Sequence, residues 1–419
     1  MRLHRLEIHN YKSLRNVAIE PTPLSVFVGP NAAGKTNLAD AIDFLRHVYA
    51  WGLEKAVAYK GGYENICYRD SRRSKEPIYF RIVLEIPGLS FSSPGLEGKP
   101  EEFFLIDHSF GFKARSVGIP SRFAISSEQI IISRRVPGGP FQEVRRITRD
   151  AQGMVQGMSE PELEVFEEMF WMEEEEGRLG SLLILLPMVT KVKGFRLPAK
   201  SFESLMGSLR VFQLDPRSCR ESGVPTPNPD LDRSGRNLPV ALDHMKKAFP
   251  EKYDAVLAAA QMVMPSLEAI ETDWTHTRSL ALFLKERGIR RHWTSEDISA
   301  GTIQMIALLV AAFDPRAPLV VIEEPENSVH PWALRNLVEA FRLASEKKQI
   351  LLTTHSPILL DQLKPEEVWV VQKPGTETKI DPLLSFDPAL KESWGQGKYT
   401  LSEYLDSGAV PEAVPAAGS

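Results

Sequence analysis

The chain has 419 residues, 43% hydrophobic and 25% charged, which leaves room for two or three domains or for one large domain carrying an insertion. A formal net charge of −5 excludes a protein that coats nucleic acid by bulk charge, so any such contact must come from a local patch. Two distant cysteines, Cys67 and Cys219, exclude a thiolate zinc site or zinc hook and a disulfide framework. Cytoplasmic residence is the expectation, because the N-terminus "MRLHRLEIHNYKSL" lacks an apolar signal core and no run approaches the ~18 apolar residues that span a bilayer.

In chain order, "LHRLEIHNY" (3–11) alternates like an edge or half-buried strand, and "LSVFVG" (24–29) is a continuous apolar strand. "KTNLADAIDFLRHVYAW" (35–51) has helical period, with Leu38, Ile42, Leu45 and Val48 on one side. "PIYFRIVLEI" (77–86), "FFLIDHSFGF" (103–112) and "FAISSEQIIISRRV" (123–136) predict an antiparallel meander interrupted by Pro/Gly/Ser-rich sequence. "SEPELEVFEEMFWMEEEEG" (159–177) predicts a helix, with Ser159 and Glu162 at capping-box spacing, and weaker helices follow to about Met206. Its Glu173–Glu176 run reads as a solvated face or a dock for a basic partner, and its Met/aromatic cluster as helix packing or a partner stripe.

Residues 214–237 read as loop, then two helices break at Pro250. Strands are predicted at 267–274, 278–288 and 289–294. "SEDISAGTIQM" (295–305) is a polar turn entering a helix, with Ile303, Ile306, Ala307 and Val310 on one face. "PLVVIEEPENSVHP" (318–331) is a buried strand ending in acid, a helix follows to about Lys347, and "QILLTTHSP" (349–357) is another buried strand. The end holds a minor strand "EVWVVQK", a short helix "TLSEYLDSG" and a frayed tail. No internal repeat is visible. The fold class expected is α/β, with one parallel sheet assembled from both ends of the chain and an insertion or arm between them.

"GPNAAGKT" matches G-x-x-x-x-G-K-T in full, between a strand and a helix. Gly29, Pro30, Asn31, Ala32, Ala33 and Gly34, with Asn37 just beyond, would form the loop that binds ATP, with the backbone N–H groups of its residues other than Pro30 curled round the phosphates. Lys35 would reach the β- and γ-phosphates, and Thr36 would ligate Mg²⁺. In "LVVIEEPE" the carboxylate of Glu323 ends the apolar strand and can hold the metal shell, the Walker B role, while Glu324 would polarise the attacking water. A Glu where Asp is commoner lengthens that reach by one methylene and leaves direct or water-mediated metal contact open. His355, at the end of the next buried strand, could hydrogen-bond the γ-phosphate. Alone it is an ordinary structural histidine, and its value comes from the order of the motifs.

That order resembles the ABC-type ATPases of the RecF/SMC/OLD (overcoming lysogenisation defect) group. "NYKSLRNVAIE…LSVFVGPNAAGKTNLADAI" is similar to the N-terminal lobe of the group, "ISAGTIQMIALL" to its signature motif, and "VVIEEPENSVHP" and "QILLTTHSP" to its Walker B and switch-histidine segments. "RSGRNLPVALDHM" is similar to a segment preceding the signature in single-chain OLD-like ATPases. The resemblance implies an ATPase head with N-terminal lobe 1–150, helical insertion and loop 151–237, C-terminal lobe 238–370 and extension 371–419. It also implies a dimer formed on ATP, with higher oligomers open. In that dimer the Ser299 hydroxyl and the bare N–H of Gly301, at a helix N-terminus, complete the ATP site on Lys35 of the second copy.

Four features depart from the family pattern. The signature lacks the paired glycines and Gln of transporters, with Gln304 two residues after Thr302. Only Gln129 and Gln142 offer themselves as a Q-loop residue. No long heptad run and no zinc hook separate the motifs, which excludes a long-armed SMC protein. About sixty residues follow His355, too few for a TOPRIM nuclease, so a nuclease or toxin effector is expected on a separate chain.

Three basic groups could meet DNA phosphates: Arg134, Arg135, Arg145, Arg146 and Arg149; Lys191, Lys193, Arg196 and Lys200; and Arg287, Arg290 and Arg291 beside His292 and Trp293. Each also reads as solvated loop charge. The leading functional expectation is an ATP-driven switch acting on DNA or on a partner effector, in bacterial anti-phage defence by family analogy. The alternatives are a RecF-like repair ATPase and a static ATP-bound scaffold that sequesters a toxin. A membrane transporter subunit is disfavoured by the signature.

Overall fold

The computed structural model describes residues 1–70, 76–87, 103–114, 123–136, 138–158 and 196–410. Its strands, in chain order, are β1 (Arg2–Tyr11), β2 (Leu14–Ile19), β3 (Leu24–Val28), β4 (Ile78–Pro87), β5 (Phe103–Ala114), β6 (Phe123–Arg135), β7 (Gln142–Arg149), β8 (Val155–Gln156), β9 (Arg210–Phe212), β10 (Leu267–Trp274), β11 (Leu280–Glu286), β12 (Trp293–Thr294), β13 (Leu319–Glu323), β14 (Gln349–Thr354), β15 (Val368–Gln372) and β16 (Lys379–Pro382), the last lying beside β15. The chain divides into two compact units. The expected helix at 159–177 lies outside the described residues.

The first unit comprises Met1–Pro21, Asp40–Leu209 and Lys373–Ile380. Its sheet is antiparallel, in the order β2–β1–β4–β5–β6–β7–β8, which is the expected meander extended at both edges. β1 alternates as read but is no edge strand, since β2 and β4 pair on either side of it. Tyr11, Phe44, Phe80, Phe110 and Phe112 are fully buried, with neighbouring rings 5.4–6.3 Å apart, so aromatic contacts hold the strands to the helix Lys35–Trp51. A polar chain runs inside this core: the Tyr49 hydroxyl meets His108 Nδ1 at 2.8 Å, and His108 Nε2 lies 3.3 Å from Glu128.

The second unit comprises Thr22–Ala39, Arg210–Gln372 and Asp381–Ser419. Five parallel strands run in the order β15–β3–β14–β13–β9, so both chain ends build one sheet as expected. Parallel strands covered on both faces read as continuous apolar runs, and β3, β13, β14 and β15 are buried along their whole length. β15 is therefore more than the minor strand expected, because it flanks the P-loop strand directly. β9 has no signal of its own in the sequence, being three residues long. Helices Leu238–Ala248 and Pro250–Val263 break at Pro250 as read. The helix Ala300–Phe313 is buried on every side from Ile303 to Phe313, so its sequence carries an all-round apolar surface rather than one face. The fold class is α/β as expected, with a parallel sheet assembled from both chain ends and an antiparallel meander.

Candidate functional site

β3 ends at Val28 and releases the chain into the phosphate loop. At Gly29 a Cβ would stand 2.1 Å from the carbonyl oxygen of Val371 on β15, so only glycine lets the loop leave between the strands. Ala32 (φ +63°) and Gly34 (φ +111°) both take left-handed backbone, which curls the loop back to the helix start. Lys35 is buried, and its Nζ donates to the carbonyls of Gly29 at 2.6 Å and Pro30 at 2.9 Å. Burial lowers its pKa, while the charges of Glu324 and Glu326 oppose that shift.

β13 brings Glu323 to the same place, 5% exposed. Its carboxylate accepts a hydrogen bond from the Thr36 side chain and, at 2.9 Å, from Arg233 Nη2. Burial raises the Glu323 pKa, and Arg233 and Thr36 hold the rise back. The pair Thr36 and Glu323 suits Mg²⁺, a hard cation that takes one or two protein oxygens and completes its shell with phosphates and water. Among the described residues no cluster of three or more His, Cys, Asp or Glu forms a self-sufficient metal cage.

Glu324 follows with φ +47°, in the left-handed region. Its backbone N–H donates to the Thr353 carbonyl at 2.9 Å, and its carboxylate accepts from Asn327 Nδ2 at 2.8 Å. The adjacent β14 ends beside it, with Glu323 paired to Thr353, and so delivers His355. His355 Nδ1 stands 3.6 Å from Glu324 and 3.7 Å from Glu326. Glu326 accepts from the Thr354 hydroxyl at 2.6 Å and the His355 N–H at 3.1 Å, and its other oxygen is buried without a partner. The two acids and the histidine expected from sequence thus meet at the ends of neighbouring parallel strands.

Ser299 and Gly301 lie elsewhere on the same unit. Ser299 is exposed, and its hydroxyl caps the helix Ala300–Phe313 by accepting from Thr302 N at 3.1 Å. A Cβ on Gly301 would stand 2.6 Å from the Ser328 carbonyl, so this glycine is required by packing within its own chain. The pocket at the phosphate loop is lined by Val28–Asn31, His355–Pro357 and Leu360, and by neither of those two residues. Gln304 is a core residue whose Nε2 donates to the Leu214 carbonyl at 3.2 Å. Gln129 and Gln142 sit on β6 and β7 of the first unit and do not line the pocket.

Sequence reading missed three contributors. Arg233 reaches Glu323 across ninety residues, and no local pattern signals it. Glu326 was legible as the last acid of "EEPE" but carried no assigned role. Ser402, Leu405 and Asp406 of the helix Leu401–Asp406 join the pocket wall, with Ser402 N and Oγ both 2.9 Å from Asp361.

The basic groups are divided. Arg149 is buried 3.8 Å from Glu128 and offers nothing to a polyanion. Arg135 pairs with Glu85 and lies over the Phe141 ring, and Arg146 pairs with Glu143 at 2.6 Å. Arg291 pairs with Asp297 at 3.2 Å. The group around Lys191 and Lys193 lies outside the described side chains. Cys67 and Cys219 are buried and are not disulfide-bonded, and no described helix is long and apolar enough to cross a membrane.

Two family models match the chain: "AAA ATPase domain" over residues 1–78 and "AAA domain, putative AbiEii toxin, Type IV TA system" over residues 211–361. AAA-type ATPase sequence therefore covers both the phosphate loop and the acid-tipped strand. No curated protein matches the chain. Among solved structures, the chain is similar to an SMC head bound to the C-winged helix domain of ScpA, at 12% identity and TM-score 0.47, covering 91% of this chain and 97% of that one. It is similar to the SMC head domain from Thermotoga maritima at 14% identity and TM-score 0.40, covering 91% and 99%. An SMC head with coiled coil and joint from Pyrococcus yayanosii aligns at 12% identity and TM-score 0.44, covering 95% and 100%.

Proposed function

We propose that this chain is an OLD-like ATP-binding and ATP-hydrolysing switch that closes head to tail with a second copy on ATP and controls a separately encoded effector in anti-phage defence. The observation that carries the reading is the convergence of Lys35, Thr36, Glu323, Glu324 and His355 at the ends of β3, β13 and β14. Lys35 would turn from the Gly29 and Pro30 carbonyls to the β- and γ-phosphates. Thr36 and Glu323 would hold magnesium, which when bound neutralises charge on the phosphates. Glu324, fixed by Thr353 and Asn327, orients the attacking water, and His355 reads the γ-phosphate.

The absence of Ser299 and Gly301 from the pocket lining of their own chain supports their acting on a second copy. The toxin–antitoxin wording of the matched family supports an effector partner.

The test is Glu324→Gln. This variant is expected to bind ATP, accumulate as a dimer by light scattering and lose turnover. Hydrolysis at the unmodified rate sinks the assignment. Capture from the native host with ATP should recover an effector chain. If the only response is instead DNA-stimulated hydrolysis that collapses with added salt, the RecF-like reading takes over.

A further inference from the structure

The Glu323 carboxylate is shared. It is the group expected to hold magnesium, and Arg233 Nη2 already sits on it at 2.9 Å. The guanidinium sits on one oxygen of a buried carboxylate that a divalent cation would also draw on, so Mg·ATP binding would weaken the hold of Glu323 on Arg233. Arg233 can respond, since its side chain is 41% exposed.

Residues 213–237, which carry Arg233, are tied to a second place. Gln213 N donates to the Arg233 carbonyl at 2.9 Å and Asp215 N to the Ser234 carbonyl at 3.1 Å, so the two ends of the loop form a short ladder. Asp215 caps the turn Pro216–Cys219, and buried Cys219 packs under the ladder with Sγ 3.7 Å from the Ser234 carbonyl. The next residue, Arg220, donates from Nη1 to the carbonyls of Ser295 and, at 3.4 Å, Glu296. Those two carbonyls open the turn that ends at Ser299. Gln304, one turn into the following helix, grips the same loop through Leu214. Two arginines of one hydrogen-bonded loop thus reach out of it, Arg233 to the Glu323 carboxylate and Arg220 to the serine turn.

We propose that Arg233 is a positioning residue that surrenders Glu323 to magnesium, and that this release is carried through residues 213–237 and Arg220 to set the Ser299 turn for a second copy. A head would then offer its serine only when its own nucleotide is in place. This rests on the ATPase reading above. It adds that the two nucleotide-facing surfaces of one chain are coupled internally.

The test uses the full chain carrying Ser299→Arg, at a concentration where light scattering finds it monomeric with Mg·ATP, so that any change is internal. Amide exchange over residues 293–299 is compared with ATP in EDTA and with Mg·ATP. The expected result is a magnesium-dependent change in that segment, lost in Arg233→Met and in Arg220→Met and restored in Arg233→Lys. Half-saturating Mg²⁺ for nucleotide binding should also fall in Arg233→Met by about threefold to fivefold, the worth of one half-exposed ion pair. The same exchange response in both Met variants, or none in the parent while it binds Mg·ATP, overturns the relay. Failure of the unmodified chain to bind nucleotide at all overturns the ATPase reading instead.

Discussion

At the level of single residues, the site concentrates cost where its chemistry is expected. Glu324 holds a left-handed backbone that costs a non-glycine residue on the order of 1 kcal/mol or more. That conformation turns the chain sharply after β13, so that Glu323 stays buried while the Glu324 carboxylate faces His355. Glu326 is the less obvious member. One of its oxygens takes both the Thr354 hydroxyl and the His355 amide, and the other is buried without a partner. Glu326→Gln keeps one acceptor oxygen for those two donors, removes the charge beside His355 and leaves a buried amide NH₂ without a partner in place of the second oxygen. It should cost about 1–3 kcal/mol in stability and loosen His355. The expected outcome is single-turnover hydrolysis slowed by roughly tenfold with nucleotide affinity kept, because Glu326 does not touch the phosphate loop carbonyls that hold Lys35. Unchanged single-turnover rates would remove Glu326 from any role in placing His355.

At the level of elements, the helix Lys35–Trp51 starts at the phosphate loop and carries His47 into the first unit. His47 is 1% exposed to solvent and its ring lies 4.2 Å from Trp51 and 4.5 Å from Tyr59. Burial, with help from Arg46 and Lys60 and against Asp43, pushes its pKa down to about 4. Unfolded, the ring would take a proton near pH 6.5. Between pH 6.5 and about 4 the unfolded chain therefore binds more protons, and stability rises with pH through that window and is complete above it. The full effect approaches about 3 kcal/mol. Urea midpoints at pH 7 and pH 4.5 should differ, and His47→Phe should flatten the difference. Asp40 and Asp43 have lowered pKa values and titrate below this window, so they do not supply the same slope. An equal pH slope in His47→Phe would assign it elsewhere.

The same scale shows what the sequence could disclose. The phosphate loop, the acid-tipped strand and the strand before His355 were legible because each is a local pattern: glycine spacing, or an apolar run that stops at a charged residue. β15 was undervalued because five apolar residues say nothing about which strand they flank. Arg233 and Arg220 were illegible for the opposite reason. They lie in Pro/Gly/Ser-rich sequence with no period, and their partners are 90 and 75 residues away. The basic cluster of the meander misled for a third reason: alternation puts Arg149 on the inner face, and composition cannot tell which face is which.

For the whole molecule, the question is how many chains complete one site. Within one chain Lys35, Thr36, Glu323, Glu324 and His355 gather at the phosphate loop, while Ser299 caps a helix whose N-terminal residues Ser299 and Ala300 are exposed. A second copy laid head to tail would bring that helix N-terminus, with its positive potential, onto a γ-phosphate. Ser299→Arg replaces a hydroxyl with a bulky cation there and also removes a cap, which alone costs about 1 kcal/mol. Ser299→Asn keeps the cap and so separates the two effects. In the Glu324→Gln background with Mg·ATP, the expected masses by light scattering are a dimer for the parent and a monomer for Ser299→Arg, with nucleotide affinity per chain unchanged. Ser299→Asn should match the parent in urea midpoint and weaken the dimer without abolishing it. A Ser299→Arg protein that still dimerises on ATP would place the second copy's contact elsewhere. A dimer that forms equally well without nucleotide would make assembly independent of the switch, because a ligand shifts an equilibrium only by its difference in affinity for the two states.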